Sequence, residues 1–196
     1  KRRGVALIDI GGGTSDLAVY KDGEVIHTAV IPIGGATVTG DIKDKFGITY
    51  EQAESMKCLY GSAVHVSGSD VSIEVKTAKV NSNIYVSRNE MSEVIQARME
   101  EILNAVKFQL ETVYADKVPA GVVITGGGSL VANLNQLASF ILKNSIRLAC
   151  PISNIEGKFA DSLKKPQYST VVGLVKKGFD FEQGLRKKEL VEQKPE

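Results

Sequence analysis

Cysteine is scarce in this sequence and tryptophan is absent. The two cysteines, Cys58 and Cys150, lie far apart and outside any Cys/His spacing typical of zinc ligands. The sequence therefore indicates neither a disulfide framework nor a zinc site. Two reduced thiols in a cytosolic protein are the simpler interpretation.

An excess of one charge and a long apolar run are also missing. The chain carries 24 Lys and Arg against 23 Asp and Glu, which argues against nucleic acid as the main partner. No apolar run reaches the roughly 18 residues that a transmembrane helix needs, and the basic residues 1–3 lead into a strand pattern instead of a signal peptide. With 196 residues, 43% hydrophobic and 24% charged, the composition is typical of a soluble globular domain or of two small lobes sharing a core.

Familiar catalytic and nucleotide motifs are missing too. The chain contains no Ser/His/Asp or Cys/His arrangement, so no catalytic residue is predicted. His27 and His65 lack partners at catalytic spacing, which favours structural or surface roles. Neither GxxxxGK[ST] nor GxGxxG is present, and this disfavours P-loop and Rossmann folds.

Glycine, in contrast, is concentrated at two corners of the sequence. The first corner is the run Gly11, Gly12 and Gly13. Apolar runs rich in β-branched residues flank it at 5–10 and 15–20, which predicts a β-hairpin whose tip has no side chains. Backbone N–H groups at such a tip can converge on an anion, and Thr14 adds a hydroxyl donor. Asp9 at the rim fits beside a phosphate only with a cation between them, which indicates Mg²⁺ held mostly through water. The alternative is a structural glycine-rich turn.

The second corner is the run Gly126, Gly127 and Gly128, followed by Ser129. It comes after a predicted buried strand and before a predicted helix. A flat or anionic group can approach the backbone closely at such a turn. Together the two corners favour nucleotide binding.

The rest of the sequence alternates strand and helix patterns. Strands are predicted at 24–33, at 121–125, at 146–150 and as short pieces within 64–87. Helices are predicted at 37–46, ending at Gly47, at 51–60, beginning with a Thr49/Gln52 capping box, and at 89–113, 134–141 and 170–177. The charged residues 186–196 are predicted to be disordered.

Five segments together resemble the second half of an actin/DnaK-type ATPase, and most closely the FtsA family of bacterial cell-division proteins. They read DIGGGTSDLAVY, HTAVIPIGGATVTGDI, AESMK, VVITGGGSL and IRLACP, and the resemblance covers residues 4–180. It implies an α/β, actin-like (ribonuclease H-like) lobe with a mixed sheet and flanking helices, plus a smaller α+β subdomain. The core lobe would comprise 1–42 and 120–180, the smaller subdomain 43–119, and a disordered linker 181–196.

The resemblance also assigns a binding site for ATP and Mg²⁺. It implies that Asp9 faces the Mg²⁺ through water and that the first corner holds the β- and γ-phosphates through Gly11, Gly12, Gly13 and Thr14. Gly126, Gly127, Gly128 and Ser129 would line the nucleoside. Glu54 and Lys57 would approach the adenosine from the AE-x-x-K helix, and their alternative is an ordinary surface ion pair.

The partners follow from the resemblance as well. Residues 43–119 would receive the C-terminal peptide of the tubulin-like protein FtsZ, with Arg98, and less clearly Arg88, facing it; the alternative is that both are solvated. The whole protein would be a cell-division adaptor that assembles with itself into protofilaments at the inner face of the cell membrane, in the cytoplasm. A C-terminal amphipathic helix would bind the membrane, and residues 185–196 are too poor in apolar side chains to be that helix.

Two alternative interpretations of the function stay open at this point. An MreB- or PilM-type actin homologue would have a different partner, and a chaperone- or sugar-kinase-type ATPase would need a base to position the nucleophile. The resemblance to the FtsA family implies that the first phosphate hairpin precedes residue 1, so only half of the nucleotide cleft is expected in this chain. The fragment is expected to be soluble and inactive as an ATPase.

A half-cleft should bind ATP weakly. Backbone hydrogen bonds to a charged phosphate contribute about 1.5–3 kcal/mol each, whereas millimolar binding already requires about 4 kcal/mol. We expect calorimetry on this chain to show an affinity for ATP no better than high micromolar. Tighter binding would contradict the half-cleft interpretation.

Overall fold

The computed structural model describes residues 4–65, 70–76, 83–113, 121–151 and 155–192, and for Lys76 and 184–192 the backbone alone. The strands are β1 (Val5–Ile10), β2 (Ser15–Lys21), β3 (Glu24–Ile31), β4 (Ser72–Lys76), β5 (Asn83–Ser87), β6 (Val122–Thr125) and β7 (Ile146–Leu148). The α-helices are α1 (Gly35–Phe46), α2 (Tyr50–Tyr60), α3 (Arg88–Val113), α4 (Leu134–Leu142), α5 (Ala160–Leu163) and α6 (Ser169–Glu192). Short 3-10 helices lie at Gly127–Leu130 and Pro166–Tyr168.

Five strands form one mixed sheet in the order β3-β2-β1-β6-β7, and β4 and β5 form a separate antiparallel pair. The first three strands of the chain are antiparallel to one another, whereas β1 pairs in parallel with β6 and β6 in parallel with β7. Ala6, Ile8 and Ile10 alternate along β1 and are fully buried, as one face of a packed strand requires. The predicted α/β fold with a mixed sheet and flanking helices is confirmed.

Helix α3 supplies much of the hydrophobic core. Its fully or almost fully buried side chains recur every three or four residues, at Met91, Ile95, Met99, Ile102, Val106 and Leu110. The helix packs against α1, α4 and β3. The long amphipathic helix is therefore confirmed. Its core is continuous with that of the five-stranded sheet, and the division into lobes at 1–42, 43–119 and 120–180 stays a prediction.

Two helix boundaries follow the local signals in the sequence. The Thr49 hydroxyl accepts the Gln52 N–H at 3.3 Å, and the Gln52 side chain accepts the Thr49 N–H at 2.9 Å, which forms the predicted capping box of α2. Helix α1 ends at Gly47, whose φ of 62° lies in the left-handed region.

The chain divides into two compact units, Lys1–Ala149 and Cys150–Glu196. The second unit contains α5 and α6. The extent of α6 corrects the prediction of a helix at 170–177 followed by a disordered segment, because the helix continues to Glu192. Glu, Gln, Lys and Arg dominate 182–192 and are good helix formers, so a high charge content did not exclude a helix there. Residues 193–196 lie outside the described residues, as do 66–69 and 77–82 in the region of the predicted short strands.

Across the ranges that the structure describes, no helix is both long enough and apolar enough to cross a membrane.

The core position of α3 can be tested with two truncations on the same helix. Ile102 is fully buried, whereas Phe108 is 64% exposed. We expect Ile102→Ala to lower the free energy of unfolding by about 2–5 kcal/mol and Phe108→Ala to change it by less than about 0.5 kcal/mol. Urea denaturation followed by circular dichroism measures both, and equal losses would contradict this packing.

Candidate functional site

The first glycine corner closes the hairpin between β1 and β2. The Gly11 N–H donates to the Thr14 carbonyl at 2.9 Å, and the Thr14 hydroxyl donates to Asp16 at 3.1 Å. Gly12, Gly13 and Thr14 are exposed. A Cβ added at Gly12 or Gly13 would meet no atom within 4 Å. The predicted side-chain-free tip is therefore present, and its outer side is open.

The start of α1 lies against the inner side of this tip. The Gly35 N–H donates to the Gly11 carbonyl at 2.9 Å, and the Ala36 N–H donates to the Gly12 carbonyl at 2.8 Å. A trans peptide points its carbonyl and its N–H in opposite directions, and the peptides here are trans. The N–H groups of Gly12 and Gly13 consequently point away from α1, toward the open side.

This close contact depends on Gly34, the residue before α1. A Cβ at Gly34 would lie 2.6 Å from the Gly12 carbonyl oxygen and 2.7 Å from that of Gly11. No role in a binding site was predicted for Gly34 and Gly35 from the sequence. The signal was available in the sequence, because a glycine pair can mark a place where another part of the chain approaches the backbone closely.

The second glycine corner packs directly on the end of β1. The parallel register pairs Asp9 with Thr125, so the turns after β1 and β6 leave the sheet at the same edge. Gly126 has a φ of +88°, and a Cβ there would collide with an Asp9 carboxylate oxygen and the Ile10 carbonyl oxygen. A Cβ at Gly128 would collide with the Ile10 side chain. The structure thus brings Asp9 and both glycine corners together.

Ser129 and Gly127 have different positions in this corner. The Ser129 side chain is buried, and its hydroxyl donates to the Gly126 carbonyl at 2.7 Å. It stabilises the corner from within. Gly127 is exposed and gives the corner its open side.

Lys57 lies between α1 and α2, with its side chain only 11% exposed. Its ammonium group donates to the Gly35 carbonyl at 2.9 Å, to the Thr39 hydroxyl at 2.7 Å and to the Glu54 carboxylate at 2.7 Å. Thr39 also donates to Glu54 through a short hydrogen bond. The alternative of an ordinary surface ion pair therefore does not describe Lys57. Thr39, which no sequence pattern indicated, belongs to the same cluster.

The electrostatics of this cluster favour an ionised Glu54. Partial burial acts to raise the pKa of Glu54, but the hydrogen bonds from Lys57 and Thr39 and the Lys57 charge outweigh it, so the pKa lies below its ordinary value. Lys57 and Glu54 therefore form a charged pair at neutral pH.

Hydrogen bonds join the residues just after α2 to the residues just after the second corner. The Ala63 N–H donates to the Ala132 carbonyl at 2.8 Å, and the Asn133 amide donates to the Ser62 hydroxyl at 2.9 Å. Lys57 therefore joins α2 to α1, which lies against the first corner, and the residues after α2 contact the segment that follows the second corner.

Arg98 forms a bidentate ion pair across α1 and α3. Its Nε and Nη2 donate to the Asp41 carboxylate at 2.7 and 2.9 Å, and Nη1 forms a short bond to Glu101. The hydrogen bond with Asp41 is the largest cause that raises the pKa of Arg98, against partial burial, which lowers it. Asp41 and Arg98 are 57 residues apart, so no local pattern in the sequence signals this pair.

Arg88 lies at a different place. Its Nε donates to the Tyr60 carbonyl at 3.3 Å, where a cation is favourable because this is the C-terminal end of α2. Ten residues of helix separate the arginines by about 15 Å. The structure therefore does not bring Arg88 and Arg98 into one site.

A metal ion would need ligands from outside these side chains. Among the described residues, no group of three or more His, Cys, Asp or Glu could hold a metal. Asp9, half-buried between the corners, fits the predicted role only where phosphate oxygens and water complete the coordination of Mg²⁺.

Solved structures with the same fold are actin-like proteins. One is MreB5 of Spiroplasma citri bound to AMPPNP, with a TM-score of 0.69 and 23% identity over 93% of this chain and 56% of that chain. Another is PilM in a PilM–PilN type IV pilus biogenesis complex, with a TM-score of 0.68 and 17% identity over 90% of this chain and 46% of that chain. At these identities the likeness shows the fold.

Sequence similarity is more specific. The family model described as cell division protein FtsA matches residues 6–173. Cell division protein FtsA of Pseudomonas aeruginosa is 38% identical over 91% of this chain and 43% of its own length. FtsA of Bacillus subtilis is 38% identical over 89% and 38%, and FtsA of Escherichia coli K12 is 37% identical over 89% and 43%. The chain spans less than half the length of these curated relatives. By this similarity and its actin-like fold, the chain belongs to the FtsA family of cell-division proteins.

Proposed function

We propose that this chain supplies one side of an ATP and Mg²⁺ site in a cell-division adaptor of the actin-like type. The observation that carries the proposal is the contact of Gly126 and Gly128 with Asp9 and Ile10, which makes the two glycine corners neighbours. MreB5 of Spiroplasma citri in complexes with AMPPNP and with ADP, and MamK bound to AMPPNP, share the fold.

The geometry supports a division of labour between the corners. The outward N–H groups of Gly12 and Gly13 and the Thr14 hydroxyl suit the β- and γ-phosphates, with Gly11 holding the turn closed. The second corner offers exposed backbone at Gly127 for the flat nucleoside. Asp9 lies between them, where a hydrated Mg²⁺ would separate its charge from the phosphates. A direct contact of Glu54 and Lys57 with adenosine stays a prediction.

The wider role that we propose follows from family membership. The whole protein would link FtsZ to the inner face of the cell membrane through a C-terminal helix, and it would assemble with itself into protofilaments. ATP would act mainly as a ligand for conformation and assembly, so no residue of this chain is assigned a catalytic role.

The phosphate role of the first corner is tested by two substitutions at one position. Nothing lies within 4 Å of a Cβ added at Gly13, so both side chains fit. We expect Gly13→Asp to weaken ATP binding at least about tenfold, because a carboxylate repels the phosphates, and Gly13→Ser to change it by less than about threefold. Titration followed by NMR gives both dissociation constants. Equal affinities of the two variants would refute a phosphate site at the tip.

The proposed FtsZ site requires Arg98 to exchange partners, since Asp41 already occupies its guanidinium. An acidic peptide residue must therefore compete with Asp41. We expect Arg98→Glu to weaken binding of the FtsZ C-terminal peptide and Asp41→Asn to strengthen it, because the competing charge is removed.

Fluorescence anisotropy with a labelled peptide measures both effects. Lys107→Glu is the matched control, because it reverses a charge on the same helix at a residue whose nearest acidic group, Glu111, is 4.0 Å away. If Arg98→Glu has no more effect than this control, Arg98 does not contact the peptide.

A further inference from the structure

We propose that Ser15 is a positioning residue for the proposed phosphate site. Its buried hydroxyl holds the connection before α1 against the inner side of the hairpin tip, and this fixes the direction in which the Gly12 and Gly13 N–H groups point. The inference rests on the proposed nucleotide site and assigns Ser15 an indirect role there, without contact with the ligand.

Ser15 is the first residue of β2 and lies on its buried face, directly after the tip. Its side chain is fully buried, as is that of Val19 on the same face, whereas its neighbours Thr14 and Asp16 are exposed. Successive side chains of a strand point to opposite faces of the sheet. Because it has no exposed surface, the Ser15 hydroxyl cannot contact a ligand, and it can act on a bound phosphate only through the backbone.

The Ser15 hydroxyl bonds to a residue 18 positions along the chain. It donates to the Ile33 carbonyl at 2.8 Å. A buried hydroxyl needs such a partner, because leaving it unpaired costs free energy. Strand β3 ends at Ile31 and α1 begins at Gly35, so Ile33 belongs to the connection between them. The serine side chain therefore joins the start of β2 to this connection.

The connection lies against the tip at Gly34. The Ile33 carbonyl and the Gly34 N–H belong to one planar peptide, so the bond from Ser15 fixes the orientation of the peptide that leads into Gly34. The approach is so close that a Cβ added at Gly34 would lie 2.6 Å from the Gly12 carbonyl oxygen and 2.7 Å from that of Gly11. A rotation of this peptide would therefore move the start of α1 relative to the tip.

The start of α1 determines where the phosphate-facing donors point. The N–H groups of Gly35 and Ala36 hold the carbonyls of Gly11 and Gly12 at 2.9 and 2.8 Å. Each of these carbonyls shares a planar trans peptide with the next N–H group, that of Gly12 or of Gly13. Holding the carbonyls inward keeps the two N–H groups directed outward, where the proposed phosphate site lies.

Helix α1 also depends on a contact from outside the helix, because Gly34 gives it no side-chain cap. A serine, threonine, aspartate or asparagine at this place would usually fix the first turn. Any of them would add a Cβ at Gly34 and collide with the tip. The bond from Ser15 to the residue before Gly34 supplies this fixation from the neighbouring strand.

The test compares Ser15→Ala with Ser139→Ala in the 196-residue chain. Both remove one serine hydroxyl that donates to a backbone carbonyl, but Ser139 is exposed on α4 and its bond to the Asn144 carbonyl is 3.2 Å long. Ser15→Thr keeps the hydroxyl and is the conservative variant. Hydrogen exchange of single amides is measured by NMR without ligand, and dissociation constants are measured for pyrophosphate and, separately, for adenosine.

Without ligand, we expect Ser15→Ala to speed the exchange of the Gly35 and Ala36 amides about tenfold, because their bonds to the tip loosen, and to change that of the Ile42 amide in the middle of α1 by less than about twofold. We expect the same variant to weaken pyrophosphate binding about tenfold, the change for one lost hydrogen bond to a charged group, and to alter adenosine binding by less than about twofold. Ser15→Thr and Ser139→Ala should stay within about threefold of the unchanged chain in all these measurements.

Three results would overturn the proposal. They are unchanged exchange of the Gly35 and Ala36 amides in Ser15→Ala, unchanged pyrophosphate affinity, or equal losses for pyrophosphate and adenosine, which a general loss of stability would give. If Ser15→Ala does not fold, Ser15→Cys takes its place, since it nearly keeps the shape of the side chain and its S–H is a weak donor. If the unchanged chain binds neither ligand, the proposed nucleotide site fails in this chain, and the exchange rates still decide the role of Ser15.

Discussion

The parallel pairing of β1 with β6 is the constraint on which the proposed site depends. These strands are more than a hundred residues apart in sequence, and their register places Asp9 beside Thr125. Because parallel strands end at the same edge of a sheet, the turns that follow them are forced together. Burial of Ile8 and Ile124 holds this register, since a shift of either strand by one residue would turn the isoleucine of that strand out of the core.

Glycine has two separate physical tasks around this edge. Gly34, Gly126 and Gly128 allow backbones to approach closely, and a Cβ at any of them would strike β1 or the hairpin tip. A Cβ added at Gly12 or Gly13 would meet no atom within 4 Å, and these glycines leave their N–H groups accessible. Gly34, Gly126 and Gly128 therefore allow the site to pack, whereas Gly12 and Gly13 leave its backbone donors exposed. A substitution in the first group should therefore disturb the fold along with binding, whereas Gly12 and Gly13 can be changed with little effect on stability.

Local sequence patterns predicted much of this fold, but they did not reveal the contacts between residues that are far apart in sequence. The hairpin, the capping box of α2 and the period of α3 each lie within a few turns of chain, so spacing alone revealed them. The family resemblance placed the two glycine corners in one cleft, which the register confirms as neighbours. The Lys57–Gly35 and Arg98–Asp41 contacts join residues that only the tertiary fold brings together. The length of α6 was underestimated because a charged segment suits both a solvated helix and a disordered tail.

The central claim is that the two corners form one binding surface for a single nucleotide. An NMR titration of this chain with ATP and Mg²⁺ tests it through the amide signals of Gly12 and Gly13 at one corner and Gly127 at the other. The account predicts that all three shift along curves with one common dissociation constant. Curves with different constants, or shifts confined to one corner, would contradict it.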